Sequence, residues 1–182
     1  MPLPITIQAK DMFDPGTNQF ITIKEQHLLL EHSLMSIEKW ESKWHKAYLS
    51  KLPKTSEESF DYLRCMCLTP NVDPMVFRAI DRKTVKDIAD YIKDPMTATT
   101  IKRLNNKPPS RDIITNELIY FWMTSYGIPF EPCRKWHFNH LMTLIEVASV
   151  KNEPPKKMGM RDILSQNASL NAARRAALHT KG

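Results

Sequence analysis

Residues 33–44, SLMSIEKWESKW, hold the pattern that decides the fold. Their apolar members recur at steps of three and four residues: Leu34, Ile37, Trp40 and Trp44. That spacing aligns side chains on one face of an α-helix, which repeats about every 3.6 residues. We therefore predict a helix with an apolar and aromatic stripe, beginning near Ser33 and ending before residues 52–53.

Upstream of this helix, two short segments alternate and are rich in β-branched residues, which is typical of strands. They are residues 5–8 (ITIQ) and residues 20–23 (FITI), and residues 14–18 (DPGTN) between them form a dense turn signal. The pattern predicts that the two segments pair in a small β-hairpin-like element within residues 1–26. From Lys24 onward the period is helical, and this helical part includes the leucine run at 28–30.

Three further helices follow downstream. Thr55 or Ser56 is suited to cap the first of them, with Glu58 close behind as in a capping box. Pro74 stands at the first position of the second, and residues 84–92 form the third. Their expected core positions are apolar residues at short intervals: Phe60, Leu63 and Cys67; Met75, Phe77 and Ile80; and Val85, Ile88 and Ile92.

The second half of the chain repeats this helical pattern after an irregular loop at residues 94–112. One helix is expected from about Asp112 to Gly127, a residue type that commonly ends helices. Another is expected over residues 132–150 and, being apolar on two sides, should be the most buried. The fold class predicted is mainly α: a compact helical domain over residues 1–152, with the small N-terminal β-element and a basic C-terminal tail.

The tail, residues 153–182, carries most of the net charge of +6. Residues 151–182 contain seven Lys or Arg and two Asp or Glu, whereas the rest of the chain is close to neutral. Residues 161–178 are good helix formers and predict an amphipathic helix that is ordered mainly on a partner. Arg174 and Arg175 are the expected contacts, either with acidic residues of a protein or, as a weaker alternative, with nucleic acid.

Composition argues against several classes of protein. With four glycines, phosphate-cradling loops are not expected, and the nucleophile and dinucleotide motifs of common enzymes are missing. Three cysteines without a secretory signal favour a reducing cytoplasm, and no apolar stretch approaches the length of a membrane-spanning helix. We therefore expect a protein that is not an enzyme, has no cofactor and does not enter a membrane.

The strongest hint of chemistry is the set Cys133, His137 and His140, whose spacing would align the side chains on one helix face. Thiolate and imidazole are zinc ligands, but the competing interpretation, a helix with a buried thiol and tolerated histidines, is favoured. Cys67, in the Cys65-x-Cys67 pair, is interpreted in the same way as a small core residue. His32 beside Glu31 is an acid–base pair by type, yet a surface or capping role is expected, so no metal and no catalytic residue is predicted.

The four tryptophans stand at helical spacings: Trp40, Trp44, Trp122 and Trp136. Most of them are expected in the core. Trp40 and Trp44 are nevertheless the aromatic residues that we predict as partner contacts, because tryptophan is enriched at interface hot spots. The exposed side of residues 113–126 is expected to join them.

Four stretches suggest a family. They are HLLLEHSLMSIEKWESKWHKAYLS at 27–50, DPMTATT at 94–100, IITNELIYFWMTSYGIPFEPCRKWHFNHLMTLIEV at 113–147 and NASLNAARRAALHTKG at 167–182. In these the chain resembles small proteins encoded in the tail-gene region of tailed bacteriophages, which look like tail assembly chaperones. The stretches cover more than half of the chain but contain no catalytic signature.

The resemblance implies a role in phage tail morphogenesis. Such chaperones coat the long, largely helical tape-measure protein and keep it soluble while tail tube proteins polymerise around it. The expected partners are thus the tape-measure and tail tube proteins, in the host cytoplasm during assembly, and self-association is left open. The alternative is a structural virion protein of the tail or of the head–tail junction.

Overall fold

The structure is a computed structural model that describes residues 1–14, 16, 18–100, 113–152 and 159–178. Of the described residues, 55% are helical and 14% are in strands, so the fold is mainly α, as predicted. The chain divides into two units, residues 1–151 and residues 152–182.

The first unit begins with four short strands: β1 (Leu3–Ile7), β2 (Lys10–Asp14), β3 (Gln19–Ile23) and β4 (Gln26–Leu30). They form two antiparallel pairs, with the β2–β3 hairpin nested inside the β1–β4 pair. The predicted pairing of residues 5–8 with 20–23 is therefore wrong, and so is the helical assignment of residues 28–30. In β4, Leu28 and Leu30 point inward while Leu29 is exposed. An outward leucine thus hid the alternation that marks a strand.

Helix α1 (Leu34–Trp44) is the centre of the core and packs against two other helices. As predicted, it begins after Ser33, whose hydroxyl accepts the backbone N–H of Ser36. It ends at Trp44, well before residues 52–53, because His45 adopts a left-handed conformation with φ +52°. Five of its eleven residues are buried, the highest share of any α-helix longer than one turn in the described part of the chain.

Helix α2 (Ser56–Met66) begins at the predicted capping box. Thr55 accepts the backbone N–H of Glu58, and the Glu58 side chain accepts the backbone N–H of Thr55. The predicted core stripe is wrong at Phe60, which is exposed, whereas Leu63 and Cys67 are partly buried against the core. The fully buried apolar residues of α2 are Tyr62 and Met66.

A 3₁₀ helix (Pro74–Ala79) and helix α3 (Arg82–Lys93) follow. Pro74 occupies the first position as predicted. Phe77 and Ile88 are buried as expected, whereas Val85, expected in the core, is exposed.

Helix α4 (Asn116–Ser125) begins later than predicted, and Gly127 follows its end with φ +67°. Its buried apolar residues are Ile119 and Met123, while Phe121 is exposed. Residues 94–100 of the predicted loop contain no helix or strand, and residues 101–112 lie outside the described residues.

The predicted single helix over residues 132–150 is in fact two: α5 (Phe130–Cys133) and α6 (Phe138–Asn152). The break has a tertiary cause, because the backbone between them bonds to the start of α1. The Phe138 N–H donates to the His32 carbonyl oxygen at 2.7 Å, and the Met35 N–H donates to the Arg134 carbonyl oxygen at 3.2 Å. Three of the fifteen residues of α6 are buried, so the expectation that it is the most buried helix is also wrong.

The second unit contains helix α7 (Met160–Leu178), which matches the helix predicted for the tail. Every side chain that the structure describes in this helix is exposed. The remaining tail residues, 153–158 and 179–182, lie outside the described part. Within the described residues, the helices are too short or too polar to cross a membrane.

Candidate functional site

The two predicted aromatic contacts, Trp40 and Trp44, differ in how deeply they are buried. Trp40 is 1% exposed and donates its indole N–H to the Glu58 carbonyl oxygen at 2.9 Å, so it belongs to the core. This placement contradicts the prediction that Trp40 contacts a partner. Trp44 is half-buried, stacks on Trp40 and donates to the Asp61 carboxylate at 2.9 Å. Trp44 is therefore only partly exposed, and its indole N–H is already bonded within the chain.

The predicted basic contacts are exposed. Arg174 and Arg175 lie on α7 in the second unit, whereas the tryptophans lie in the first. On the predicted face of residues 113–126, Ile113 and Phe121 are also exposed. The predicted contact residues thus belong to both units.

The three residues with possible zinc-ligand spacing, for which no metal was predicted, do not share a helix face. Cys133 ends α5, His137 stands between the helices and His140 is on α6. In the described ranges, no three His, Cys, Asp or Glu side chains are placed to hold a metal. Burial raises the pKa of the Cys133 thiol, as expected for a structural cysteine. Cys65 and Cys67 are half-buried free thiols, and burial raises the pKa of Cys65 to about 11.

A cleft of about 620 Å³ lies in the first unit, and we call it the methionine cleft. Segments far apart in the sequence form it: the chain start, the end of β4, one side of α1, the region after α3 and the α5–α6 junction. Its lining residues are Met1, Pro2, Glu31, Ser33, Met35, Ser36, Lys39, Leu68, Met96, Lys135, Trp136, His137 and His140. No sequence period links these positions, so sequence reasoning missed the cleft.

The walls of the methionine cleft are mainly apolar. Met35, Met96 and Leu68 contribute flexible aliphatic surface, and Trp136 adds an aromatic ring. Methionine fills irregular gaps and adapts to different partners, because its side chain is unbranched and polarizable. The cleft is therefore suited to receive apolar side chains rather than a charged ligand.

The floor of the cleft contains a buried carboxyl group. Glu31 is buried, and the Tyr91 hydroxyl donates to its Oε1 at 2.6 Å. Burial raises the pKa of Glu31, although the bond from Tyr91 opposes that effect. The nearby Ser36 hydroxyl donates to the Glu31 carbonyl oxygen at 2.7 Å. The side chains of Tyr91 and Ser36 thus provide Glu31 with hydrogen bonds from within the protein, and these bonds hold Glu31 in the wall of the cleft.

Two buried histidines continue this polar layer. The Tyr91 carbonyl oxygen lies 3.1 Å from His137 Nε2 and can only accept, so Nε2 carries the hydrogen. His137 Nδ1 then keeps a lone pair, for which the described residues offer no partner. The ring of His32 lies 5.3 Å away and its Nδ1 is 2.5 Å from the Tyr62 hydroxyl. Burial lowers the pKa of both imidazoles, that of His32 to about 3, so both are neutral. The expected surface or capping role of His32 and Glu31 is thus wrong.

The rim of the cleft is basic. Lys39, on α1, and Lys135 both line the cleft and are exposed, and Lys135 Nζ lies 3.2 Å from the Glu131 carboxylate. Trp136 and His140 stack with ring centroids 5.0 Å apart and an interplanar angle of 13°. An apolar cleft with a lysine rim is suited to apolar residues that stand beside a carboxylate.

A second apolar groove of about 410 Å³ lies between α2 and α3. Phe60, Leu63 and Val85 line it, and these are residues that the periodicity assigned to the core. The structure places Phe60 and Val85 on the surface instead. This part of the body therefore presents apolar side chains to solvent, as interaction surfaces do.

Comparison with known proteins gave no match: no family model, no curated protein and no solved structure is significantly similar to the chain. The proposals below therefore rest on the sequence pattern and on the geometry of the described residues.

Proposed function

We propose that the protein is a phage tail-morphogenesis factor that binds the tape-measure protein as an assembly chaperone. Helix α7 carries this proposal, because it is a long helix whose apolar side chains are all exposed where the structure describes them. It acts by binding, without a cofactor and without catalysis, in the host cytoplasm during assembly. The resemblance of residues 27–50, 113–147 and 167–182 to tail-region proteins supports the choice of client.

The exposed side chains of α7 are arranged for helix–helix contact. Its 19 residues span about 28 Å at about 1.5 Å per residue. Leu178 lies about five turns after Met160 and on the same line, with Leu164 close to it and with Asn167 and Asn171 between them. All three are more than 60% exposed. A partner helix packed on this line would bury them, as in the recognition of an amphipathic helix by a groove or a second helix.

Two charges border this apolar line. Arg174 and Arg175 lie on either side of it, within about 60° at about 100° of rotation per residue. Arginine pairs with carboxylates in a fixed, two-pronged geometry, which sets the register of a partner helix. An acidic, amphipathic stretch of a helical client therefore fits α7 best. Isolated helices of this length are marginal in water, so client binding would also stabilise α7.

The proposal is tested by co-expressing the chain with the tape-measure protein and measuring the soluble fraction of the latter. Leu164→Glu places a carboxylate on the apolar line, and Ser169→Glu places the same charge on the opposite side as a matched control. We expect wild type and Ser169→Glu to keep the tape-measure protein soluble, and Leu164→Glu to lose most of this effect. Equal solubility with both variants would contradict a role for this face.

The alternative, a structural virion protein, is separated by quantitative mass spectrometry of purified particles and of infected-cell lysate. A chaperone is abundant in the lysate and missing from particles. A fixed ratio to the tail tube protein in particles would instead establish a virion component. Binding of α7 to nucleic acid would appear as a steep loss of affinity with salt, abolished by replacing Arg174 and Arg175.

A further inference from the structure

The β2–β3 hairpin presents an aromatic pair to solvent. Phe13 and Phe20 stand opposite each other in the strand register, with ring centroids 5.5 Å apart in an edge-to-face arrangement. They are 49% and 77% exposed. Large aromatic side chains dominate interface energetics when they are buried, so an exposed pair of this kind marks an interaction surface.

The other face of the hairpin explains why the pair points outward. Successive side chains of a strand point to opposite faces, so Ile23 and Met12 lie on the face opposite to Phe13. Ile23 is buried, and Met12 packs against the same core. The body thus anchors the hairpin through one face and leaves the aromatic face uncovered.

The aromatic face also carries a charge. Asp11 lies on the same side as Phe13, is exposed, and accepts a hydrogen bond from the Thr22 hydroxyl at 2.6 Å. This bond across the hairpin holds the carboxylate beside the rings. The hairpin therefore offers two phenyl rings next to one fixed negative charge.

The methionine cleft has the complementary features. Its apolar walls include Met35 and Leu68, its rim carries Lys39 and Lys135, and its volume of about 620 Å³ lies within the range typical of sites that enclose ligand groups. The hairpin and the cleft belong to the same unit, and the exposure of Phe20 shows that the hairpin does not fill the cleft of its own chain. A second copy of the chain brings the matching surface.

We propose that the hairpin of one copy inserts Phe13 and Phe20 into the methionine cleft of a second copy, with Asp11 beside Lys39 and Lys135. The contact joins two different surfaces. An open assembly of any length therefore keeps one unused hairpin and one unused cleft, to which a further copy can bind. Such head-to-tail contacts produce rings when the rotation closes and open chains when it does not. The proposal does not involve α7 and stands independently of the proposed client.

The test is sedimentation velocity of the full chain over a range of concentrations. For the wild type, the average mass of the sedimenting species should increase as the concentration rises. Phe20→Ser removes the hairpin contact and Leu68→Glu blocks the cleft, and both positions are exposed, so each variant should fold and remain monomeric. Leu52→Ser changes another exposed leucine, outside both surfaces, and should assemble like the wild type.

Mixing the two monomeric variants provides the decisive result. Each retains the half that the other lacks, so the mixture should form a one-to-one heterodimer and nothing larger. A charge exchange gives a second test: Asp11→Lys and Lys39→Glu should each weaken assembly, and mixing the two variants should restore a contact. A wild type that stays monomeric, or a mixture of Phe20→Ser and Leu68→Glu that does, would overturn the proposal. If Phe20→Ser lost assembly while Leu68→Glu still assembled, the contact would be between two hairpins, and this result would also overturn the proposal.

Discussion

Mild acid should destabilise the protein through the buried imidazole of His32. This side chain is 3% exposed and packs against the rings of Tyr62, His137 and Phe138. Burial, with a smaller contribution from His137, lowers the pKa of His32 from 6.5 to about 3. The folded protein therefore keeps this ring neutral at pH values where the unfolded chain protonates it.

The sign and size of the effect follow from proton linkage. Between pH 6.5 and about 3, the unfolded state binds more protons at His32 than the folded state, so the free energy of unfolding falls as the pH falls. Going from about pH 7 to about pH 5 should cost about 2 kcal/mol through this ring, at about 1.4 kcal/mol per pKa unit. Burial also lowers the pKa of His137, which adds to the loss. Glu31 acts in the opposite direction, because burial raises its pKa and the folded carboxyl binds its proton first.

Urea unfolding of wild type and His32→Asn at these two pH values isolates the ring. Asn keeps a hydrogen-bonding atom near the position of Nδ1 but does not titrate. The acid-induced loss in free energy of unfolding should therefore be about 2 kcal/mol smaller for His32→Asn than for wild type. Ile37→Val is the control for general destabilisation: it should lower stability by about 1 kcal/mol at both pH values and keep the wild-type acid loss. Equal acid losses in wild type and His32→Asn would refute the reasoning.

Three further predictions concern stability. Trp40→Phe should lower the free energy of unfolding in urea by about 2–4 kcal/mol, because the Glu58 carbonyl oxygen loses its donor and a space opens in the core. Glu41→Gln should cost about 1–3 kcal/mol, because the Glu41 carboxylate accepts two backbone N–H groups and one of its oxygens becomes an amide donor. Hydrogen exchange at Asn116 should accelerate in this variant. Thr55→Ala should lower the urea midpoint, at a cost of about 1 kcal/mol, and Thr55→Ser should restore most of the loss.

The features that the sequence predicts well are local ones. The start of α1 at Ser33, the capping box of Thr55 and Glu58, and the left-handed Gly127 each depend on residues within one turn of the chain. The helix at residues 161–178 was also predictable, because its composition alone favours it. Such signals need no knowledge of what packs against them.

The strand pairing required contacts that the sequence does not display. Residues 5–8 and 20–23 look like natural partners because a turn signal lies between them. The structure instead pairs Ile5 with Leu28, and a bridge from Leu30 to Cys67 extends the contact toward α2. The choice between these registers depends on which face the body covers, and that body is built from helices later in the chain.

The helix break before Phe138 has the same origin. Residues 132–150 carry a continuous helical pattern, yet the Phe138 N–H is bonded to the carbonyl oxygen of His32, far away in sequence. That bond places the His137 ring beside the His32 ring and next to the methionine cleft. The hydrogen bond that interrupts the predicted helix thus also places His137 at the cleft. Residue spacing alone could therefore predict neither the break nor this part of the site.

The main error of the periodicity argument concerns the inner face of α2, and it explains why Phe60 lies on the surface. Polar residues occupy interior positions: Glu58 and Asp61 fill the buried side of α2, where Lys46 and Lys43 neutralise them. Because these two charged groups share the inner face of α2 with Tyr62 and Met66, Phe60 lies outside that face and lines the groove between α2 and α3. The carboxylates of these ion pairs are buried, but both lysines are more than half exposed, and such partly solvated pairs add little net stability. The groove between α2 and α3 therefore leaves apolar side chains in solvent, and it is separate from α7 and from the hairpin and cleft that the two proposals concern.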